Sequence, residues 1–461
     1  MSNKIFLKFL ILFITAIACG FLSISIGMNT HQALSVSIFS ASVMGTLLFW
    51  DFRLAIAFLG IAILLMTRTV DLENVIKFAS LEVILFLVGM MVLIGLLKEV
   101  GFFAWLIGLI IRIKKLTAKK FVVVLCLMSA ILACAVDEVT SIIFMSALVL
   151  EICDYFEVLA TPYIIMCVLA TNIGSSGTVL GNPIGILIAA KGGLTFEDFI
   201  FRAFPLMFFC LLLTISIFFV IFKKPIKELD KKIKEFGYNE ILIKLISVPP
   251  EKQLRLGLGI FGVTLFFIGL HHRLELLWNL ETNTILLVIP LISAGFVMVW
   301  KHRKAKEYIE KEVDWWTLLF FMLLFAKAGT LKYTGATDVL AKYLVQFAGK
   351  NPKVLVTNLL WTSCIGSSIL DNVVLVAAFI PIVQSFHSFG FVTNSFWWAL
   401  LFGGCFGGNI TMIGSTANIV ALGLLEKEKG IKIKFFRWLG IGLIIGVITT
   451  LFAWLYLIIT S

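Results

Sequence analysis

Long apolar runs recur from one end of this chain to the other, and few charges interrupt them. They fall near 5–27, 32–50, 54–67, 82–97, 162–190, 199–222, 256–270, 283–300, 315–331, 395–425 and 436–459. A helix needs roughly 20 apolar residues to cross a bilayer, so about eleven transmembrane helices are expected. Composition agrees: of 461 residues, 60% are hydrophobic and 14% charged, against about 45–50% and about 25% in a soluble domain. A water-soluble core, a coiled coil and a disordered chain are all excluded. The first run extends to Ile26, beyond the about 7–15 apolar residues of a cleaved signal, and reads as a membrane helix.

Two more apolar stretches, 121–153 and 353–386, are too long for one crossing, and each has an acidic residue near its middle. They read as re-entrant helix–turn–helix hairpins, a broken backbone tolerated at that depth only where protein or water surrounds it. Basic residues set the orientation. With the N-terminus cytoplasmic, the inside segments (the start, Arg53, 112–120, 223–255, 301–312 and 427–437) hold 27 of the 38 lysines and arginines, and the outside segments eight. Positive residues stay on the cytoplasmic side, so the expected protein is a multi-pass inner-membrane protein with its C-terminus outside. The net charge of +11 then reports topology and not a nucleic-acid partner. The segment 223–255, with Pro249-Pro250, is expected to be a cytoplasmic linker. The eight cysteines lie in apolar runs without a CxxC pair and read as small core hydrophobes.

The chain also repeats itself at an offset near 234. Gly95-Leu96-Leu97-Lys98-Glu99-Val100-Gly101 and Gly329-Thr330-Leu331-Lys332-Tyr333-Thr334-Gly335 share GxLKxxG. Ser129, Asp137 and Val139 correspond to Ser363, Asp371 and Val373; Thr178 and Gly181 to Thr411 and Gly414; Phe201-Arg202 to Phe436-Arg437. Under the charge-derived topology, 82–97 and 315–331 run in opposite directions, so the halves are inverted repeats, an architecture of secondary transporters with midplane sites at discontinuous helices. The expected division is N-terminal helices 1–53, repeat one over 54–222, the linker, and repeat two over 256–461.

Each hairpin turn carries acid: Asp137-Glu138 in the first, Asp371-Asn372 in the second. A carboxylate at bilayer depth costs at least about 2.5–3.5 kcal/mol on insertion scales and is a functional candidate by default; the plain alternative is an N-cap. After each hairpin comes a span broken by glycines and polar residues. Asn172, Thr178 and Asn182 lie in 162–190, and Asn409, Thr411, Ser415 and Asn418 in 395–425. Unwound backbone frees carbonyls for cations, and half-helix N-termini offer donors to anions; glycines alone would read as close packing. A Na⁺ site is expected near Asp137 and Asp371. Lys327, inside a span, is a candidate charge partner for a hairpin carboxylate. Gly174-Ser175-Ser176-Gly177 fits the GxSG of a membrane hydrolase, but that chemistry needs a base and all five histidines fall in or beside loops. The reading is not an enzyme, with no cofactor beyond the coupling H⁺ or Na⁺.

The paired DxV hairpins, NIGSSGTVLGNP (172–183) and GGNITMIGSTANIVALGLLEKEKG (407–430) resemble the ion transporter superfamily of arsenite permeases, D-type sodium/proton antiporters and the pink-eyed dilution protein, over about residues 50–461. The chain departs from that group in Glu138, where Asn is common, and in Gly181-Asn182-Pro183-Ile184-Gly185, where text like GDPPN is usual. It lacks the Ser-Asn-Thr tripeptide of the related dicarboxylate carriers. The resemblance implies a scaffold from the early helices of each repeat, a mobile domain with both hairpins moving elevator-fashion, and a homodimer. It also implies a proton- or sodium-coupled transporter of small inorganic ions, an arsenite-type or other anion permease. A sodium/proton antiporter is the alternative; a di- or tricarboxylate transporter, a channel or a membrane enzyme ranks below it.

Overall fold

Hydrocarbon offers no partner for a peptide N–H or C=O, so runs of this length bury their backbone in helix–internal hydrogen bonds. In the computed structural model, which describes residues 3–102, 105–106, 117–236, 252–348 and 351–460, every regular element is helical. The first half contains α1 (Asn3–Ser25), α2 (Thr30–Leu48), α3 (Arg53–Met66), α4 (Leu72–Phe78) and α5 (Leu81–Glu99). It continues with α6 (Ala118–Ala135), α7 (Glu138–Tyr155), α8 (Thr161–Gly174), α9 (Pro183–Gly192) and α10 (Phe196–Ile221). After the polar α11 (Lys223–Phe236), the second half has α12 (Lys252–Gly269), α13 (His271–Trp278), α14 (Thr284–Trp300), α15 (Trp315–Tyr333) and α16 (Ala336–Ala348). It ends with α17 (Pro352–Ile369), α18 (Asn372–Phe386), α19 (Asn394–Gly407), α20 (Thr416–Lys429) and α21 (Phe435–Thr460). Residues 107–116 and 237–251, which include much of the basic segment 112–120 and Pro249-Pro250, lie outside the described residues.

The sequence offset reappears in the element bounds. Helix α5 maps onto α15 and α6 onto α17 at 234, and α8 onto α19 at 233. The two halves are antiparallel. Gly95, near the end of α5, abuts Glu312, just before α15, while Gly329, near the end of α15, abuts Phe78, just before α5. Those two contacts are each other's repeat equivalents.

Ion pairs and hydrogen bonds place the helix ends on two faces. On the first face the Ala118 N–H donates to Asp230 (3.2 Å), Lys232 pairs with Glu157, Lys429 with Asp154, and Lys98 with Glu312. On the second face Lys191 pairs with Glu82, and Lys353 donates to the Ile458 carbonyl. Hairpin α6–α7 therefore starts and ends on the first face and hairpin α17–α18 on the second. By connectivity the described chain passes between the faces eleven times, each broken helix counting once.

Among the described residues, by length and composition alone, eight helices could span a membrane, or ten with two bent pairs. The difference has physical causes. The hairpin helices α6 and α18 are long and apolar without crossing, whereas α3 has 14 residues and α8–α9 and α19–α20 are each interrupted. Arg53, counted from sequence among the basic loop residues, is instead buried, stacked on Trp50 at 3.9 Å and donating to Thr317 Oγ1 (3.1 Å). All eight cysteines are free, and seven are buried.

Candidate ion-binding site

The two hairpin tips cap their own second helices. Asp137 Oδ1 accepts the N–H groups of Val139 and Thr140 (both 2.8 Å), and Oδ2 accepts the Thr140 hydroxyl (2.7 Å). Asp371 Oδ1 accepts the Val373 N–H (3.0 Å), but its Oδ2 accepts the Thr416 hydroxyl (2.6 Å) at the start of α20. Aspartate is a favoured N-cap because its oxygens satisfy otherwise orphaned amides. Both aspartates thus do capping work, and Asp371 also fastens its hairpin to the second broken helix.

The residues that follow meet each other. Glu138 and Asn372 occupy equivalent positions, and Asn372 Nδ2 donates to Glu138 Oε1 (3.4 Å), as does Ser415 Oγ (3.5 Å). The pseudo-symmetry axis therefore passes between them, at the crossing of hairpin tips and broken helices.

The breaks supply the walls. Asn182 begins α9 by accepting the Gly185 N–H (2.9 Å), while its Nδ2 reaches Ser175 Oγ (2.9 Å) and Cys405 Sγ (3.1 Å). Ser415 begins α20 by accepting the Ala417 N–H (3.2 Å). The Thr178 hydroxyl donates to the Cys134 carbonyl and the Thr411 hydroxyl to the Ser368 carbonyl, again equivalent pairs. Asn418 Nδ2 donates to the carbonyls of Gly408 (2.7 Å) and Thr411 (2.8 Å), fixing the second unwound segment. Across the centre, Asn172 Nδ2 donates to Asn409 Oδ1 (2.9 Å) and Asn418 Oδ1 (2.8 Å). The breaks can pack so tightly because Gly174 and Gly407 end their helices against main chain: a Cβ would lie 2.4 Å from Ala130 Cα and 2.3 Å from the Cys364 oxygen.

Within this buried centre, Glu138 Oε2, Asn372 Oδ1 and Asn172 Oδ1 lack a donor. Buried polar atoms are ordinarily hydrogen-bonded, and oxygen acceptors of this kind suit a proton or a hard cation. No group of three or more His, Cys, Asp or Glu side chains suited to a metal occurs among the described residues, so such a cation would be held by one carboxylate and amide oxygens. A cavity of about 310 Å³ leads from Lys98, Glu312 and Asp314 on the first face down to Asp137, Glu138 and Thr416. Asp371 lines a separate cavity of about 250 Å³ beside Trp50 and Ile413.

Lys327 lies apart from this group. It is buried in α15, and its Nζ donates to Ser42 Oγ of α2 (2.6 Å), with no carboxylate among the described residues in ion-pair reach. The hairpin-partner role expected for it is thus not the geometry observed. Sequence reasoning read Ser175 only as part of a hydrolase-like GxSG and Cys405 only as a core thiol; their side-chain contacts to Asn182 place both at this site.

A family model described as "Citrate transporter" matches residues 44–403, and again 328–460. The uncharacterized transporter Rv2684 of Mycobacterium tuberculosis is 30% identical over 379 residues, covering 82% of this chain and 85% of its own. The human P protein is 24% identical over 472 residues, covering 84% of this chain and 54% of its own length. Among solved structures, the YdaH transporter of Alcanivorax borkumensis, whose crystal structure is described as revealing an unusual topology, shares the fold. The match has a TM-score of 0.54, 14% identity, and coverage of 84% of this chain and 86% of that one.

Proposed function

The chain is a multi-pass membrane transporter of the citrate transporter family, and from that premise we propose that it is a secondary active transporter of small inorganic anions driven by H⁺ or Na⁺. The observation that supports the coupling-ion part of this reading is the set of partnerless acceptor oxygens on Glu138, Asn372 and Asn172 at the crossing of the repeats; the anion part rests on the helix N-termini that begin at Asn182 and Ser415. Glu138 carries the coupling proton or takes part in holding the coupling cation, and the surrounding amides fix its position. The broken helices contribute unwound carbonyls and helix N-termini near the midplane, the arrangement that lets one site bind ions of either sign. Hairpins and broken helices (α6–α9 and α17–α20) move as one body against α2, α3, α5, α14 and α15. The first face, which gathers the basic segments, is cytoplasmic by the positive-inside rule.

One observation favours a second reading. The partnerless atoms named at the centre are carboxylate and amide oxygens, which accept from a proton or a cation and repel an anion, and a sodium/proton antiporter would use them without any anion.

The test uses purified protein in liposomes under separately imposed pH and Na⁺ gradients, with arsenite, phosphate and citrate offered in turn. Saturable uptake of an anion that stops when the gradient is dissipated is the expected result. Collapse of the pH gradient by Na⁺ or Li⁺ without an anion would establish the antiporter instead. Ohmic current without saturation would remove both in favour of a channel.

A further inference from the structure

We propose that the cavity walled by Lys77, Lys191 and Lys332 on the second face is an anion vestibule, selecting a soluble multivalent carboxylate or oxyanion before it reaches the central site. The cavity measures about 410 Å³, within the about 300–1,000 Å³ typical of small-ligand pockets. Its walls come from α4, α9, α15 and α18, so an ion held there lies against hairpin two.

The charge of this cavity is exceptional when set beside its repeat equivalent. Lys332 here corresponds to Lys98 in the first-face cavity, and both line their pockets. At the first face Glu312 and Asp314 stand beside that lysine; the equivalent positions here are Phe78 and Ser80. Among the described residues no carboxylate lines the second cavity. Lys332 Nζ rests on the neutral Gln384 amide oxygen (3.0 Å), and the carboxylate that acts on it, Asp338, lies outside the wall. Lys77 has no side-chain partner among the described residues, and Lys191 is balanced by Glu82 (2.8 Å), which lies outside the wall. Three ammonium groups in one concave wall with apolar sides, their nearest carboxylates lying outside it, focus the field and raise the local concentration of anions. An ion with two or more charges answers that arrangement better than chloride.

Pyridoxal 5′-phosphate trapped by borohydride is a suitable anionic probe for the full-length protein in vesicles of neutral lipid, read by peptide mass spectrometry. Labelling of Lys77 and Lys332 is expected about tenfold above that of the exposed Lys342, the order of enrichment a focusing cleft produces. Citrate or phosphate should suppress it, and chloride of equal ionic strength should not. Lys332→Gln should lower labelling of Lys77 and remove citrate protection, with an unchanged size-exclusion profile as the folding control. Uniform labelling, or equal protection by chloride, overturns the proposal. Protection that arises only when phosphatidylglycerol is in the vesicles also overturns it, because the ligand is then a lipid headgroup. The labelling reads binding without transport, so a citrate-protected cavity in a protein without coupled flux would sink the transport reading and leave the vestibule standing.

Discussion

At the first hairpin tip the capping aspartate is followed by Glu138; at the second it is followed by Asn372, and the two side chains touch. The cavity beneath the first tip has carboxylates at its mouth and reaches the tip, whereas its counterpart on the other face has lysines and stops short of Asp371. The backbones of the halves superimpose in element bounds, yet equivalent positions hold different charges. The lesson is that an inverted repeat can duplicate a scaffold while dividing the chemistry: one half supplies the ionisable group, the other the amide that orients it.

Exchanging the two central residues strains that comparison most. Glu138→Gln is expected to lower coupled flux in liposomes by about 100-fold, equivalent to about 3 kcal/mol, the scale of disturbing a buried hydrogen-bonded charge. The double exchange Glu138→Asn with Asn372→Glu puts the carboxyl back on the other side of the same axis, so flux should recover to within about tenfold of wild type. No recovery would mean that the halves are not interchangeable at their centre.

The aspartates come next. Asp371→Asn keeps a capping side chain, since Asn caps about as well as Asp, but loses the charge-assisted bond from Thr416 that joins hairpin two to α20. Coupled transport should fall by about tenfold or more with folding intact, the worth of a hydrogen bond to a charged group. Asp137→Asn, whose bonds stay inside its own hairpin turn, should fall less. Equal losses would refute the difference assigned to the two caps.

A structural pair probes the scaffold. Gly174→Ala and Gly407→Ala each force a methyl into main chain of the neighbouring hairpin helix, and each should destabilise by about 1–3 kcal/mol, the usual cost of overpacking. Thermal unfolding in detergent measures this, and one tolerated variant would show that the helix breaks are not packed alike.

Much of this was legible in the residues. Asp137 and Asp371, GxLKxxG and the glycine-rich breaks sit at one offset, and bilayer physics leaves little freedom between them, so repeats and hairpins follow from spacing. The partnerships were less legible. That Asn172 would reach Asn409 and Asn418 depends on how two distant breaks pack, which no local pattern encodes. Lys327 read as a partner for a carboxylate because a lone lysine at depth invites one; its placement toward Ser42 comes from the packing of α2 against α15. Arg53 read as a loop residue because it follows an apolar run, but Trp50 and Phe320 take its guanidinium inward.

The smallest expected effect concerns how the hairpins are held at their bases. Hairpin one rests on α11, where Asp230 accepts the first amide of α6 and Tyr163 donates to the Pro225 carbonyl (2.9 Å); at hairpin two the corresponding tie is Lys353 to the Ile458 carbonyl. The hydrogen bond from Lys234, then the Ala118 N–H, hold the Asp230 carboxyl below its ordinary value of 3.8. The unfolded chain therefore binds more protons than the folded one in acid, so this contribution is full above the ordinary value and is lost as pH falls through the lower, folded one. Amide exchange at residues 118–121, corrected for the intrinsic rate, should quicken in that acid range for wild type. For Asp230→Asn it should change little with pH, while residues 352–355 of hairpin two should show no difference between the two proteins. The Asp230 carboxylate is only half-buried and still meets solvent, so the effect is small. A matching acid-range change at both hairpin bases would mean that α11 does not distinguish them.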